Sequence, residues 1–207
     1  MTADISAISR HRIGIDGEGV TTLVVFMMCP LRCKYCLNPQ TLSNRFPSKS
    51  YTAEELYDEL KVDNLYFLAT GGGITFGGGE PLINPKFLNE FRAACGKDWK
   101  INVETSLNVP KAYLQEVVDC VDSFIIDIKD MNPKIYSSYT GRDNAWVHEN
   151  LHYLSSIGRA GSCTIRVPLI PDFNTEDDVK SSIDLLMSLG FSIFDKFKYV
   201  IRNHGKR

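Results

Sequence analysis

Three cysteines crowd into eight residues, Cys29, Cys33 and Cys36 in the segment MCPLRCKYCLNP, while Cys95, Cys120 and Cys163 stand singly and far apart. Thiolates this close in sequence suit a metal. Zinc usually takes paired ligands, four in all, and no second pair follows here. Iron–sulfur clusters take cysteine thiolates at tight local spacing. Three local thiolates would leave one iron of a [4Fe–4S] cluster open to an outside ligand, and an open position is what separates a catalytic metal site from a structural one. A zinc site completed by a distant histidine and a chance grouping of core cysteines are the other readings, though Pro30, Arg32, Lys34 and Tyr35 do not read as core. Such a cluster argues for a metal or redox site in a reducing compartment rather than a disulfide framework. The three scattered cysteines read as small apolar fillers.

A second group of candidates is polar. Gly78 and Gly79, with Glu80, follow a strand signal; glycines there let backbone approach a ligand closely. The local carbonyls and the Glu80 carboxylate can accept hydrogen bonds from an ammonium group, and a plain glycine-rich turn is the alternative. Glu104, Asp127, Lys129 and Arg166 are charged residues inside otherwise apolar strand signals. Lys129 and Arg166 can pair with a ligand's carboxylate. Glu104 and Asp127 can accept from hydroxyls or hold a cation, and an internal salt-bridge network is the competing reading. His11, His148 and His152 show no ligand partnership.

The elements that must position these groups alternate. Residues 23–28 (LVVFMM) form a continuous apolar run, the pattern of a strand buried on both faces. Further strands are predicted at 74–76, 100–104, 123–128, 163–167 and 197–201. Helices are predicted from the Thr52/Glu55 capping box, from Asn84-Pro85 to Gly96, over 111–120, 144–157 and 175–189, with a shorter turn near Pro133. Six strands alternating with helices imply parallel β/α units. Strand phase chooses between a doubly wound sheet and a barrel. Asn102 and Glu104, then Asp127 and Lys129 with Ile125, then Thr164 and Arg166 each form a row on one face. Charges would be costly beneath covering helices. These rows therefore point into an open interior, in a partial (β/α)6 TIM-like barrel, whereas a filled eight-strand barrel carries branched apolar layers there. The chain reads as one domain, 1–207, with a lead-in over 1–20 and the β/α core over 21–207.

Composition narrows the class. The 207 residues are 43% hydrophobic and 23% charged, enough to bury a core. Lys plus Arg is 23 against 25 Asp plus Glu, a formal charge of -2, which argues against a nucleic-acid or anionic-membrane binder that relies on bulk charge. No apolar run reaches the roughly 18 residues of a membrane span, and the polar opening stretch lacks a signal-peptide centre, so the expected location is cytoplasmic.

The three-then-two cysteine spacing resembles the cluster loop of radical S-adenosylmethionine enzymes. The likeness extends through Asp16-Gly17-Glu18-Gly19, the loop with Asn38-Pro39, Ile74-Thr75-Phe76-Gly77-Gly78-Gly79-Glu80-Pro81-Leu82, Val103-Glu104-Thr105-Ser106, Ile126-Asp127-Ile128-Lys129, Tyr139-Thr140-Gly141 and the block from Ile165 to Pro171. In that order these blocks resemble the glycyl-radical-enzyme activases. The resemblance implies a [4Fe–4S] cluster on Cys29, Cys33 and Cys36, with S-adenosylmethionine on its open iron. It implies that the Gly78-Gly79-Glu80 turn holds the amino group, that Lys129 and Arg166 meet the carboxylate or ribose, and that Asp127 or Glu104 accepts from the ribose. Tyr35 and Leu37, which flank the cofactor-binding Cys36, would meet the adenine, Asn38 would orient the sulfonium or nearby water, and His204 would lie near the ribose. Glu104 and Asp127 fall at positions linked to a monovalent cation, with Glu104 where Asp is usual, and Ile128 counts among the cofactor-binding residues. Partners implied are a glycyl radical enzyme as protein substrate and flavodoxin or ferredoxin as electron donor.

The absence of extra cysteines between Cys36 and Gly71 favours the pyruvate formate-lyase or anaerobic ribonucleotide reductase types. Sequence after the sixth strand is shorter than the family's C-terminal cap, a departure that bears on partner docking. A radical enzyme of the 7-carboxy-7-deazaguanine synthase kind, acting on a small molecule, is a second enzyme reading. A non-catalytic sensor or metal-binding module is the reading from another class.

Overall fold

In the computed structural model, residues 1–43 and 45–199 are described. Among them, eight strands form one sheet in the order β3-β1-β2-β4-β5-β6-β7-β8. The strands are β1 (Thr2–Ile13), β2 (Val20–Phe26), β3 (Lys49–Thr52), β4 (Gly73–Gly78), β5 (Lys100–Thr105), β6 (Ser123–Asp127), β7 (Cys163–Leu169) and β8 (Ile193–Lys198). From β2 through β8, omitting β3, all neighbours pair in parallel, as in Val24 opposite Phe76 and Asp127 opposite Arg166. These are the six strands of the expected β/α units.

Helices α1 (Ala53–Leu60), α2 (Asn64–Thr70), α3 (Pro85–Cys95), α4 (Lys111–Val117), α5 (Pro133–Thr140), α6 (Ala145–Ser156) and α7 (Glu176–Ser188) fill the connections. Thr52 and Glu55 close the capping box at α1, and Thr175 with Asp178 closes a second at α7. Each such cap is worth about 1 kcal/mol. The apolar side of the sheet packs on these helices. Phe26 meets Phe76 and Phe87 edge-on at 5.4 and 5.7 Å, and Phe67 meets Trp99 at 5.0 Å. Aromatic pairs in this geometry add to the burial of their rings.

Two expectations change, and one helix, α2, is additional to those predicted. Residues 1–20 are not a lead-in: β1 pairs antiparallel with β2 on one side and β3 on the other. Only Ala3 and Ile5 of β1 are fully buried, so its composition reads as surface. The helix α2 carries Leu65, Tyr66 and Leu68 exposed and buries only Phe67, so it shows no apolar stripe. The last strand runs Ile193–Lys198 rather than 197–201, in a register that sets Asp195 opposite Arg166, 3.6 Å away. Residues from 200 onward, including His204, lie outside the described residues.

The polar rows face the inside, as strand phase predicted. Arg166 on β7 reaches Glu104 on β5, two strands away, at 2.6 Å. Two cavities follow this inner face. One, of about 180 Å³, sits at the strands' C-terminal ends; the other, of about 550 Å³, sits at their starts, beside Asn102, Ser123 and Thr164. The connection from β1 to β2 crosses beneath: Asp16 is buried, its carbonyl accepts from Thr75 Oγ1 at 2.5 Å, and Ile15 O accepts from Arg166 at 3.1 Å.

Candidate functional site

Strand β2 is apolar and β-branched until Phe26, and the chain then turns sharply at Met28, whose φ is +69°. The turn is held from the neighbouring strand. Gly79 N donates to Phe26 O at 3.0 Å and Glu80 N to Met28 O at 2.8 Å. A Cβ at Gly79 would lie 2.1 Å from Met28 O, so only glycine permits this approach, and Gly78 adopts φ +94°. The loop beyond is pinned by buried Leu31. Cys29, Cys33 and Cys36 are half-buried and all three line the upper cavity.

Burial pushes the Cys29 thiol up to about 12, with the Glu80 carboxylate adding to the effect, and burial also raises Cys33. Both thiols must therefore lose a proton to bind metal. Among the described residues, no three His, Cys, Asp or Glu side chains converge on a point where one metal ion could be held. Three thiols of one loop that share a cavity form a donor set that suits an iron–sulfur cluster, in which each thiolate takes its own iron.

Glu80 is 1% exposed. Its carboxylate accepts from Thr105 Oγ1 and Ser106 Oγ at 2.7 Å, from Ser106 N at 2.9 Å and from Leu82 N at 3.3 Å. Burial raises its pKa above the ordinary carboxylate range despite these donors. The carboxylate expected to meet a ligand's ammonium lines the cavity and is engaged by the chain. Its oxygens accept from Thr105, Ser106 and Leu82, and so tie the glycine turn to the end of β5.

The charged row closes the cavity floor. Arg166 pairs with Glu104 and lies 4.0 Å from Asp16; Lys129 pairs with Asp127 at 3.1 Å. Burial pulls both cations' pKa values down, but the surrounding carboxylates outweigh it and hold both raised, Glu104 foremost for Arg166 and Asp127 for Lys129. Burial raises Glu104, against the pull of Arg166. Leu37, Asn38, Gly78 and Gly79 line the same cavity, Leu37 at its exposed rim.

Two expected residues lie elsewhere. Ile128 alternates to the other face of its strand, is buried in the apolar core and donates its N–H to Arg166 O at 2.9 Å. Tyr35 is not among the lining residues. Its hydroxyl donates to Asp172 at 2.9 Å, and its ring packs against Tyr139, Phe173 and Tyr199. Thr105, Ser106 and Tyr199 line the cavity without having been singled out. Thr105 and Ser106 had a signal: hydroxyl residues directly after an inward Glu104 at a strand's C-terminal end.

The radical SAM superfamily profile matches residues 23–186 of this chain. The chain belongs to the radical SAM superfamily. Membership implies S-adenosylmethionine and a [4Fe–4S] cluster as cofactors, and the loop cysteines form a donor set that fits such a cluster. The chain is 34% identical over 144 residues to a pyruvate formate-lyase-activating enzyme of Clostridium pasteurianum, covering 70% of this chain and 60% of that protein. It is 27% identical to a (2S)-3-sulfopropanediol dehydratase activating enzyme of Klebsiella oxytoca, covering 84% and 74%. Among solved structures, Streptococcus suis SuiB bound to S-adenosylmethionine superposes with a TM-score of 0.69 at 16% identity, over 86% of this chain and 40% of SuiB. That likeness is one of fold, the partial TIM barrel. No helix among the described residues is long and apolar enough to cross a membrane.

Proposed function

We propose that this radical SAM chain is a glycyl-radical-enzyme activase of the pyruvate formate-lyase type. The observation that carries the reading is the meeting of three loop thiols, the glycine turn fixed by Glu80 and an inward charged row in one cavity. Cys29, Cys33 and Cys36 would hold the cluster. The carbonyls of the Gly78–Gly79 turn would accept from the amino group of S-adenosylmethionine, and Lys129 and Arg166 would pair with its carboxylate or ribose. Leu37 and Asn38 would bound the nucleoside side.

Bound there, the cofactors would supply one-electron reductive chemistry that ends in removal of a hydrogen from a glycine Cα. The chain's part is orientation and exclusion of water. The electron would come from flavodoxin or ferredoxin, in a reducing cytoplasm that suits six free cysteines. Glu104 and Asp127 are the carboxylates that would hold a monovalent cation, and each already faces a cation of the chain. The described residues share one sheet and one core, which supports reading them as one domain.

The test is anaerobic reconstitution with iron and sulfide, reduction, and addition of S-adenosylmethionine with a glycyl radical enzyme. The expected result is an EPR signal of the reduced cluster that shifts on adding the cofactor, release of 5′-deoxyadenosine and a glycyl radical on the partner. Cleavage with no partner radical would favour a small-molecule substrate. A cluster without cleavage would favour a sensor, and zinc in place of iron would end the reading.

A further inference from the structure

The cysteine loop has two sides. Cysteines line the cavity on one; on the other, Arg32, Lys34 and Arg142 are exposed, and among the described residues none of the three is in an ion pair. Two of them have a definite task. Arg32 Nη1 donates to Cys29 O at 2.6 Å and to Leu31 O at 2.8 Å, and Arg142 Nε donates to Pro30 O at 3.2 Å. Three consecutive carbonyls, starting at the first cysteine, are thus capped by two guanidiniums.

The brace is rooted in the turn after α5. Arg32 N donates to Thr140 O at 2.9 Å and Lys34 N to Tyr139 O at 3.1 Å, while the buried Thr140 hydroxyl donates to Tyr136 O at 2.8 Å and accepts from Arg142 N at 3.2 Å. With Met28 O held by Glu80 N, the first half of the loop has its shape fixed by the chain itself.

We propose that Arg32 and Arg142 are positioning residues for the cluster: they hold the Cys29–Leu31 backbone in its ligating shape and keep positive charge beside it, which eases its reduction. This rests on Cys29, Cys33 and Cys36 binding the cluster. Groups around a metal site orient its ligands, and their loss typically costs ten- to a hundredfold in affinity. Net charge and hydrogen bonding near an iron–sulfur cluster move its potential. Adding an electron is favoured by adjacent positive charge, so removing the guanidiniums makes reduction harder.

The test compares reconstituted wild type with the double variant Arg32→Met/Arg142→Met, by redox titration followed by EPR and by cluster loss to an iron chelator. The double variant is expected to show a more negative reduction potential than wild type and to lose iron about tenfold faster. Arg32→Lys keeps the charge but shortens the side chain that places one nitrogen against both carbonyls, so it should hold its potential while losing iron faster than wild type. Lys34→Met removes an equally exposed cation that makes no side-chain contact with the loop carbonyls, and should leave iron retention unchanged. A double variant matching a cluster-bearing wild type in both measurements overturns the proposal alone. So does a Lys34→Met variant that loses iron as fast as the double variant. A wild type that takes up no cluster overturns the site reading as well.

Discussion

Cys29, Cys33 and Cys36 lie half-buried along one loop facing a charged cavity, whereas Cys95, Cys120 and Cys163 are 8, 7 and 0% exposed, each closed behind a different element. Acidity does not tell the two sets apart. Burial pushes Cys29 and Cys163 alike up to about 12, and Cys120 to about 11. Their partners do. Cys163 Sγ sits 3.3 Å from Arg159 O and Cys95 Sγ 3.5 Å from Gly96 O, weak contacts that a small apolar filler makes with nearby backbone. The loop cysteines instead share one cavity, on a backbone whose carbonyls are capped by other groups. What separates a ligand from a filler here is the company of other thiols and a loop held open toward a cavity.

The sharpest way to break this comparison is Cys33→Ala, expected to abolish the [4Fe–4S] absorbance and EPR signal and all 5′-deoxyadenosine formation. Retention of the full cluster would sink the distinction. Next in size is Glu80→Ala, which strips four hydrogen bonds from Thr105, Ser106 and Leu82. A loss of about 3 kcal/mol in urea unfolding is expected, with a weaker response of the cluster signal to S-adenosylmethionine. Cys163→Ala should cost about 1 kcal/mol, as a small deletion in a closed core, and leave iron content at the wild-type level. The smallest effect is expected of Cys95→Ser, where a hydroxyl can donate to the carbonyls the sulfur already faces. It should stay within about 0.5 kcal/mol of wild type, with the cluster intact. Iron lost equally on changing Cys95, Cys163 or Cys33 would erase the comparison.

Much of the architecture was legible because its signals are local. The six parallel strands, the capping box at Thr52 and the start of α3 at Asn84-Pro85 need only neighbours in sequence. The inward rows were legible because a strand's period of two leaves no choice once one charge is placed. Strand β1 was not. Its hydrogen bonds go to β2 and β3, partners that no local pattern announces, and its mixed burial hides its apolar face. Ile128 shows where a motif misleads: a block carried over whole includes the residue between two inward charges, and alternation sends that side chain into the core. Tyr35 shows the same for a loop, where aromatic neighbours from α5 and beyond β8, distant in sequence, decide the ring's direction.

Arg166 stands between the upper and lower cavities and lines both. Its guanidinium already answers to Glu104 above and to Asp16 and Ile15 O below. A negatively charged group arriving in either chamber competes for the same donors. Occupancy of one chamber then changes affinity in the other, and the effect is equal in both directions by thermodynamic reciprocity. A barrel divided by one shared arginine therefore joins its two compartments into a single binding equilibrium.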